Sequence, residues 1–337
     1  MITQNSVLVM LVRLVDRIPT PPSGKQGRGR PCFYSDRLFL KALVIMIVKH
    51  LHTPYELLSV LEQPTPQMQQ LRALLTQDGR YPTRRTWERR LKSLPNSLPS
   101  QISCLGHHLV ALIQPWQRCG RAMAADSTVL RAKGGVWHKK DREAGVVPHT
   151  SIDTEAGWTK SGWHGWVYGW KLHLVTVVAE VWIPLAAQLT PANTDDSSEA
   201  EPLLVGLPSA VCEMVRYLLG DRSYNTPLMQ TVCSLKGWLL VATRNFKGNP
   251  YPHTDVGVQV RRVFHKLRSL AIENVNEHFK GIFDGHAQVP TKGLMATRRF
   301  ALGAIFVYQL ALLYRFEHLG LRGSALNVGL KAFLKAA

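Results

Sequence analysis

Acidic residues are the scarce component of this chain: 23 Asp and Glu stand against 41 Lys and Arg over 337 residues, a formal charge of +18. The sequence pI is near 10.0. An imbalance of this size bears on partners rather than on fold, and polyanions come first. It is spread along the chain, with 16 basic and 6 acidic residues in 1–120 and 25 and 17 beyond. Both halves can therefore meet a phosphate backbone. Charged residues are only 19% of the total and hydrophobic residues 45%, which excludes a disordered polyelectrolyte and leaves enough apolar surface for a real core. The five cysteines form no C-x-x-C pair and no even framework; this argues against a zinc ribbon or a disulfide scaffold and fits a reducing compartment. The 13 histidines include no H-E-x-x-H, so zinc chemistry is not indicated. No apolar run reaches the ~20 residues needed to span a bilayer. The longest, Phe300 to Tyr314, carries Gln309 and reads as a buried helix. The N-terminus MITQNSVLVMLVRLVDR lacks a leading basic region and a small-residue cleavage site, so a cytoplasmic protein without membrane contact is expected.

At ~150 residues per domain, two domains are expected, or one large domain with an appendage. No internal repeat is present. A turn-rich basic segment, Thr20–Pro31, carries Arg28 and Arg30 among glycines and reads either as an arm lying along phosphates or as a solvated linker. Helices are expected from Ser35 as N-cap, over Thr53–Gln63, over MQQLRALLTQ, and over Pro82–Leu94. The last places Arg84, Arg85, Arg89 and Arg90 around one short helix after a Gly-containing turn. Residues 68–94 are thus a helix-turn-helix candidate for DNA, with a charged solvated face as the alternative. Residues 95–118 read as a linker plus one helix. The expected division is a helical DNA-binding region over 1–118, a second domain over 119–320 and a C-terminal tail over 321–337.

After residue 120 the texture changes. Strands are expected over Arg121–Leu130 and Val167–Val178, the latter forming a hairpin with EVWIPLAAQLTP. A helix over Asp195–Leu207, a buried strand over Val215–Ser223, a helix, a last strand WLLVATR and a helical remainder follow. Three antiparallel strands continued by α/β units and closed by helices is the layout of a ribonuclease-H-like mixed sheet flanked by helices, an α/β class.

With so few acids, each can be weighed. Asp126 sits mid-strand among small and apolar residues, where a charge is costly without a partner or a metal. Asp221 ends a strand at the carboxyl edge of a sheet, where open α/β folds place their sites. Glu273 lies on a helix that also carries Glu277 and Lys280. Carboxylates from two strands and a helix suit two Mg²⁺ ions acting on a phosphodiester, although spacing alone favours ordinary capping and pairing roles.

The surrounding words add to this. DSTVL at Asp126–Leu130, GWKLHLVT at Gly169–Thr176, LTPANTDDS at Leu189–Ser197, LLGDRSYNT at Leu218–Thr226 and the stretch from Arg268 to Lys280 occur in one order. So arranged, they resemble the DDE transposases of bacterial insertion sequences over about 121–315, and GRGRPCFYSDRLFLKAL resembles the family's leading helical segment. The resemblance implies a catalytic, metal-binding triad of Asp126, Asp221 and Glu273 with two Mg²⁺ ions, Mn²⁺ being a substitute. It implies cleavage at element ends and joining of the 3′-hydroxyl to target DNA. The partners implied are double-stranded DNA and a second copy of the chain, in a DNA-associated bacterial cytoplasmic protein. The rivals are a nuclease of the same fold that does not join, and a catalytically silent DNA-binding derivative. Only 51 residues separate Asp221 from Glu273, too few for the large β-insertion of some members. In a subset of relatives Tyr, Arg, Glu and Lys recur at fixed spacing on this helix. Here Glu273 and Lys280 keep theirs, Arg268 lies one residue too far from Glu273, and His265 stands at the Tyr position.

Lys171 and His173 share one side of an alternating strand and, with Arg268 and Lys280, read as DNA contacts, a merely solvent-facing side being the alternative for the strand pair. Asn193 and Asp196 read as N-capping residues. Trp158, Trp163, Trp166 and Trp170 read as packing, with base stacking as the alternative. Asp153 and Glu277 are reserve acids.

Overall fold

Ala122–Ala125 are buried without alternation, the mark of a strand covered on both faces. They open β1 (Ala122–Arg131), the centre of a six-stranded mixed sheet. The computed structural model describes residues 6–21, 33–116, 121–162, 165–242, 262–263, 266–283 and 288–337. Arg28, Arg30, Trp163 and His265 lie outside them.

A short strand, β2 (Gly157–Ser161), and the long β3 (Gly165–Val178) follow, antiparallel to each other. β3 also runs antiparallel to β1, from Ala122↔Val178 to Arg131↔Gly169, and antiparallel to β4 (Pro184–Pro191). β5 (Tyr217–Gly220) and β6 (Leu239–Ala242) lie parallel on the other side of β1. The order is β2-β3-β1-β5-β6, with β4 also paired to β3. Antiparallel strands first and parallel crossovers after is the expected ribonuclease-H-like layout. β2 was not expected from the sequence, because its five residues carry no strong pattern.

Among the described residues six helices precede the sheet: α1 (Val7–Leu14), α2 (Asp36–Val48), α3 (Pro54–Leu61), α4 (Pro66–Leu74), α5 (Arg84–Ser93) and α6 (Leu98–Ile113). Threonine caps recur: Thr53, Thr65 and Thr83 each accept a hydrogen bond from the backbone N–H three residues on. The one helix expected within 95–118 is α6, and Pro99 falls in its first turn, where a missing N–H costs nothing. After β1 come α7 (Lys139–Glu143), α8 (Asp196–Val205), α9 (Ser209–Met214), α10 (Pro227–Lys236), α11 (Asn274–Ile282), α12 (Leu294–Glu317) and α13 (Leu330–Lys335).

α12 is the axle. It is long and apolar enough to cross a membrane, but 83% of its apolar window is buried inside the protein, as the reading of Phe300–Tyr314 required. It packs on α2, α5 and α6 as well as on β4. Gln309 Nε2, fully buried, donates to the carbonyls of Ile102 on α6 (2.9 Å) and Pro184 on β4 (2.7 Å). Gly106 on α6 approaches the sheet so closely that a Cβ would stand 2.6 Å from the Pro184 carbonyl oxygen. The Arg299 guanidinium donates to the carbonyls of Leu91 and His52. A single buried apolar cluster runs from Leu8 to Ala337. Residues 321–337, read as a tail, fold back: Leu326, Leu330 and Leu334 are buried, because apolar residues recur there at helical spacing.

Candidate active site

Parallel register sets the first pair of acids. Ala124 lies opposite Leu219, so two residues further on Asp126 comes level with Asp221, just past β5. Gly220 makes room behind them: a Cβ there would meet Cβ of Tyr224 at 2.7 Å, and without it the fully buried Tyr224 packs beneath the strand end. Asp221 accepts hydrogen bonds from Ser223 N (2.8 Å) and Ser223 Oγ (2.6 Å) through one oxygen, which fixes the carboxylate at the strand terminus.

Asp126 is 18% exposed. Burial pushes its pKa up to about 6; the Arg268 guanidinium opposes that shift, and the charges of Asp221 and Asp196 add to it. Arg268 Nη1 donates to Asp126 Oδ2 at 2.9 Å, and Nη2 stands 3.7 Å from Glu273 Oε1. One guanidinium thus links the strand acid to the helix acid. The Tyr224 hydroxyl is pushed well above its ordinary value by burial first and then by Asp126, Asp196 and Asp221.

Arg268 reaches both acids because the helix is not regular there. Ser269–Glu273 form a π-turn running into α11. A π-turn closes i→i+5 bonds and accommodates one extra residue. The surplus residue between Arg268 and Glu273 is absorbed in that turn, so that Arg268 reaches Asp126 while staying 3.7 Å from Glu273.

Asp196, read as a cap, belongs to this centre instead. The cap of α8 is Asp195, which accepts from Ser197 N and Ser198 N at 3.0 Å. Asp196 turns inward, with Lys171 Nζ at 3.1 Å and His173 Nδ1 at 3.6 Å. Two consecutive aspartates were the available signal, since one N-cap takes only one of them. Lys171 and His173 therefore do not serve as free phosphate contacts: Lys171 is 11% exposed and donates also to the Thr194 carbonyl. His173 is buried against the Thr190 hydroxyl at 2.9 Å, and burial lowers its pKa to about 4.

The remaining residues fall elsewhere. Asp153 is buried and accepts from Gly293 N at the start of α12. Glu277 is exposed. Lys280 is half-buried, its pKa pushed down by burial, and among the described residues no ion pair joins it to Glu277. Trp170 is core, Trp158 donates to the Trp137 carbonyl, and Trp166 is 67% exposed. On α5, Arg84 pairs with Glu88, and Arg90 pairs with Asp36 and lies over the Phe39 ring. Arg85, Arg89 and Lys92 are exposed at i, i+4 and i+7.

Among the described residues, no three His, Cys, Asp or Glu side chains are gathered as a ready metal site. The donor chemistry nevertheless suits a hard divalent ion: a poorly hydrated carboxylate faces a second carboxylate, and like charges so placed call for a cation. Here that cation is Arg268.

Residues 132–287 match the family model for a Transposase DDE domain; the match contains Asp221 and Glu273 and begins six residues after Asp126. No curated protein matches the chain. Among solved structures, a pre-cleavage Mos1 transpososome is similar at 13% identity and TM-score 0.24, covering 86% of this chain and 80% of that one. The catalytic domain of Mos1 mariner transposase is similar at 9% identity and TM-score 0.24, covering 64% and 93%. A Mos1 mariner paired end complex with Mn is similar at 14% identity and TM-score 0.23, covering 86% and 81%. Superposition this slight adds nothing to the fold, which rests on the strand order itself.

Proposed function

From a chain that is a transposase of the DDE type, we propose a reaction and a set of residues. The substrate is double-stranded DNA carrying element ends. A phosphodiester is hydrolysed at each end, and the freed 3′-hydroxyl attacks target DNA in line. The observation that supports this reading is the Arg268 guanidinium between Asp126 (2.9 Å) and Glu273 (3.7 Å), with Asp221 level with Asp126 at the carboxyl edge of the sheet. Mg²⁺, with Mn²⁺ as a substitute, would be held by these three carboxylates and, when bound, supplies nucleophile activation and charge stabilisation. The chain's own part is placement. β1 and β5 fix Asp126 and Asp221 on rigid strands, while Tyr224 closes the floor and excludes water. Basic groups outside the centre hold the duplex: Arg85 and Arg89 on α5, and Lys280 beside the helix acid. A second copy of the chain binds the other element end.

The test is incubation of the full chain with Mg²⁺ and DNA carrying the flanking element ends, with products resolved on a sequencing gel. Nicked ends followed by strand-transfer products are expected. Asp126→Ala, Asp221→Ala and Glu273→Ala should each abolish both while DNA binding persists. Cleavage without joining would identify a nuclease on this fold, and wild-type cleavage by any one variant would remove that residue from the centre.

A further inference from the structure

The acid centre already holds a cation, and that cation is built into the chain. Arg268 is 10% exposed, donates to Asp126 at 2.9 Å and stands 3.7 Å from Glu273. Its Nε is buried without a hydrogen-bond acceptor. A well-placed structural arginine normally satisfies all its donors. Here the guanidinium gives up one of them to lie between two carboxylates, and the π-turn supplies the extra residue that sets it there. π-turns inside helices cluster at functional positions.

We propose that Arg268 is an internal counter-ion that competes with the divalent metal for Asp126 and Glu273. In the DNA-free protein it neutralises part of the centre and keeps metal affinity low. When metal and DNA arrive together the guanidinium is displaced, and its planar fork is then available to a phosphate. The centre is thereby charged for cleavage only when substrate is present. The opposing charges close to this group are Asp126, Asp221, Glu273 and Asp196; the nearby cation is Lys171, held by Asp196. This inference rests on the reading of Asp126 and Glu273 as metal ligands.

The experiment is Mn²⁺ binding to the full chain without DNA, by calorimetry and by electron paramagnetic resonance of free Mn²⁺. Arg268→Gln should bind Mn²⁺ about tenfold tighter than wild type, the size of effect that one adjacent unit charge exerts on a neighbouring ionisable site. Arg268→Lys, which keeps the charge, should stay within about twofold of wild type. Deleting Leu270, which is half-exposed within the π-turn, should also tighten binding, because it removes the turn that sets Arg268 between the two acids. Circular dichroism establishes that each variant is folded. Unchanged or weaker binding by folded Arg268→Gln would overturn the proposal, since a merely structural arginine predicts that sign. Wild-type-like binding by the folded Leu270 deletion would overturn the role of the π-turn. Asp126→Asn separates the two readings. If it binds Mn²⁺ as wild type does, the metal-ligand reading itself fails; if it loses binding while Arg268→Gln is unchanged, only the counter-ion inference fails.

Discussion

Consecutive aspartates with opposite duties show how finely single residues are sorted here. Asp195 faces backbone N–H groups and caps a helix, whereas Asp196 faces Lys171 and His173 in a nearly closed space. Asp195→Ala should cost about 1 kcal/mol, the usual worth of a cap. Asp196→Ala should cost more, roughly 2–3 kcal/mol, because it strands a poorly hydrated ammonium. Urea unfolding of the two variants tests the ranking, and equal destabilisation would contradict it. His173 supplies a pH dependence. Its pKa in the folded protein is lowered to about 4, against ~6.5 for an unfolded histidine. The folded state then binds fewer protons between those values. Its contribution to stability is complete above ~6.5 and declines as pH falls toward 4. His173→Gln should flatten the stability profile across that window. A profile as steep as that of wild type would show that other groups set the slope.

Two elements carry exposed or unmatched cations. On α5, the buried Trp87 and Leu91 fix which way the helix faces; Arg84 and Arg90 are then committed to Glu88 and Asp36. Arg85, Arg89 and Lys92 remain as one outward row. Charge neutralisation of Arg85 and Arg89 together should lower the log–log salt slope of end-binding by roughly 0.9 for each phosphate that the variant leaves un-neutralised. Arg84 neutralised alone should change it little. An unaltered slope in the double variant would leave the row as solvated surface. On α11, Lys280 follows Glu273 by seven residues, about two turns. It is half-buried and, among the described residues, not paired to Glu277, as suits a cation held ready for a phosphate. Lys280→Ala should slow cleavage and weaken end-binding while Glu277→Ala does neither. Lys280→Arg should restore part of both. Normal rates for Lys280→Ala would leave it only a structural place.

For the molecule as a whole, α12 makes the N-terminal helices and the catalytic sheet dependent on one another. Its sixteen buried residues face both, and Gln309 spans them with two hydrogen bonds. Residues 119–337 expressed without the first six helices should aggregate or bind a hydrophobic dye, because α12 would present apolar surface on the side that α2, α5 and α6 now cover. A monodisperse fragment with native-like cooperative unfolding would show that the catalytic half folds alone. Gln309→Leu should destabilise the full chain by about 1–3 kcal/mol, since it leaves the Ile102 and Pro184 carbonyls without their donor.

The ribonuclease-H-like sheet was legible in the sequence because strand alternation, glycine punctuation and caps are local, and local preferences agreed with the fold. Asp126 and Asp221 were legible for a related reason: a charge inside an apolar strand, or at its carboxyl end, is conspicuous within a few residues. Glu273 was legible only through the words around it. What the sequence could not supply was contact. The alternation that placed Lys171 and His173 on one side of β3 did not say that α8 covers that side. The row of four arginines did not say which two had partners. The spacing from Arg268 to Glu273 read as a departure of one residue, because residue counting assumes a regular helix. The π-turn that absorbs the surplus is decided by packing against the sheet, where burial of Ala271 and Ile272 and the pull of two carboxylates on one guanidinium outweigh the irregularity of a single turn.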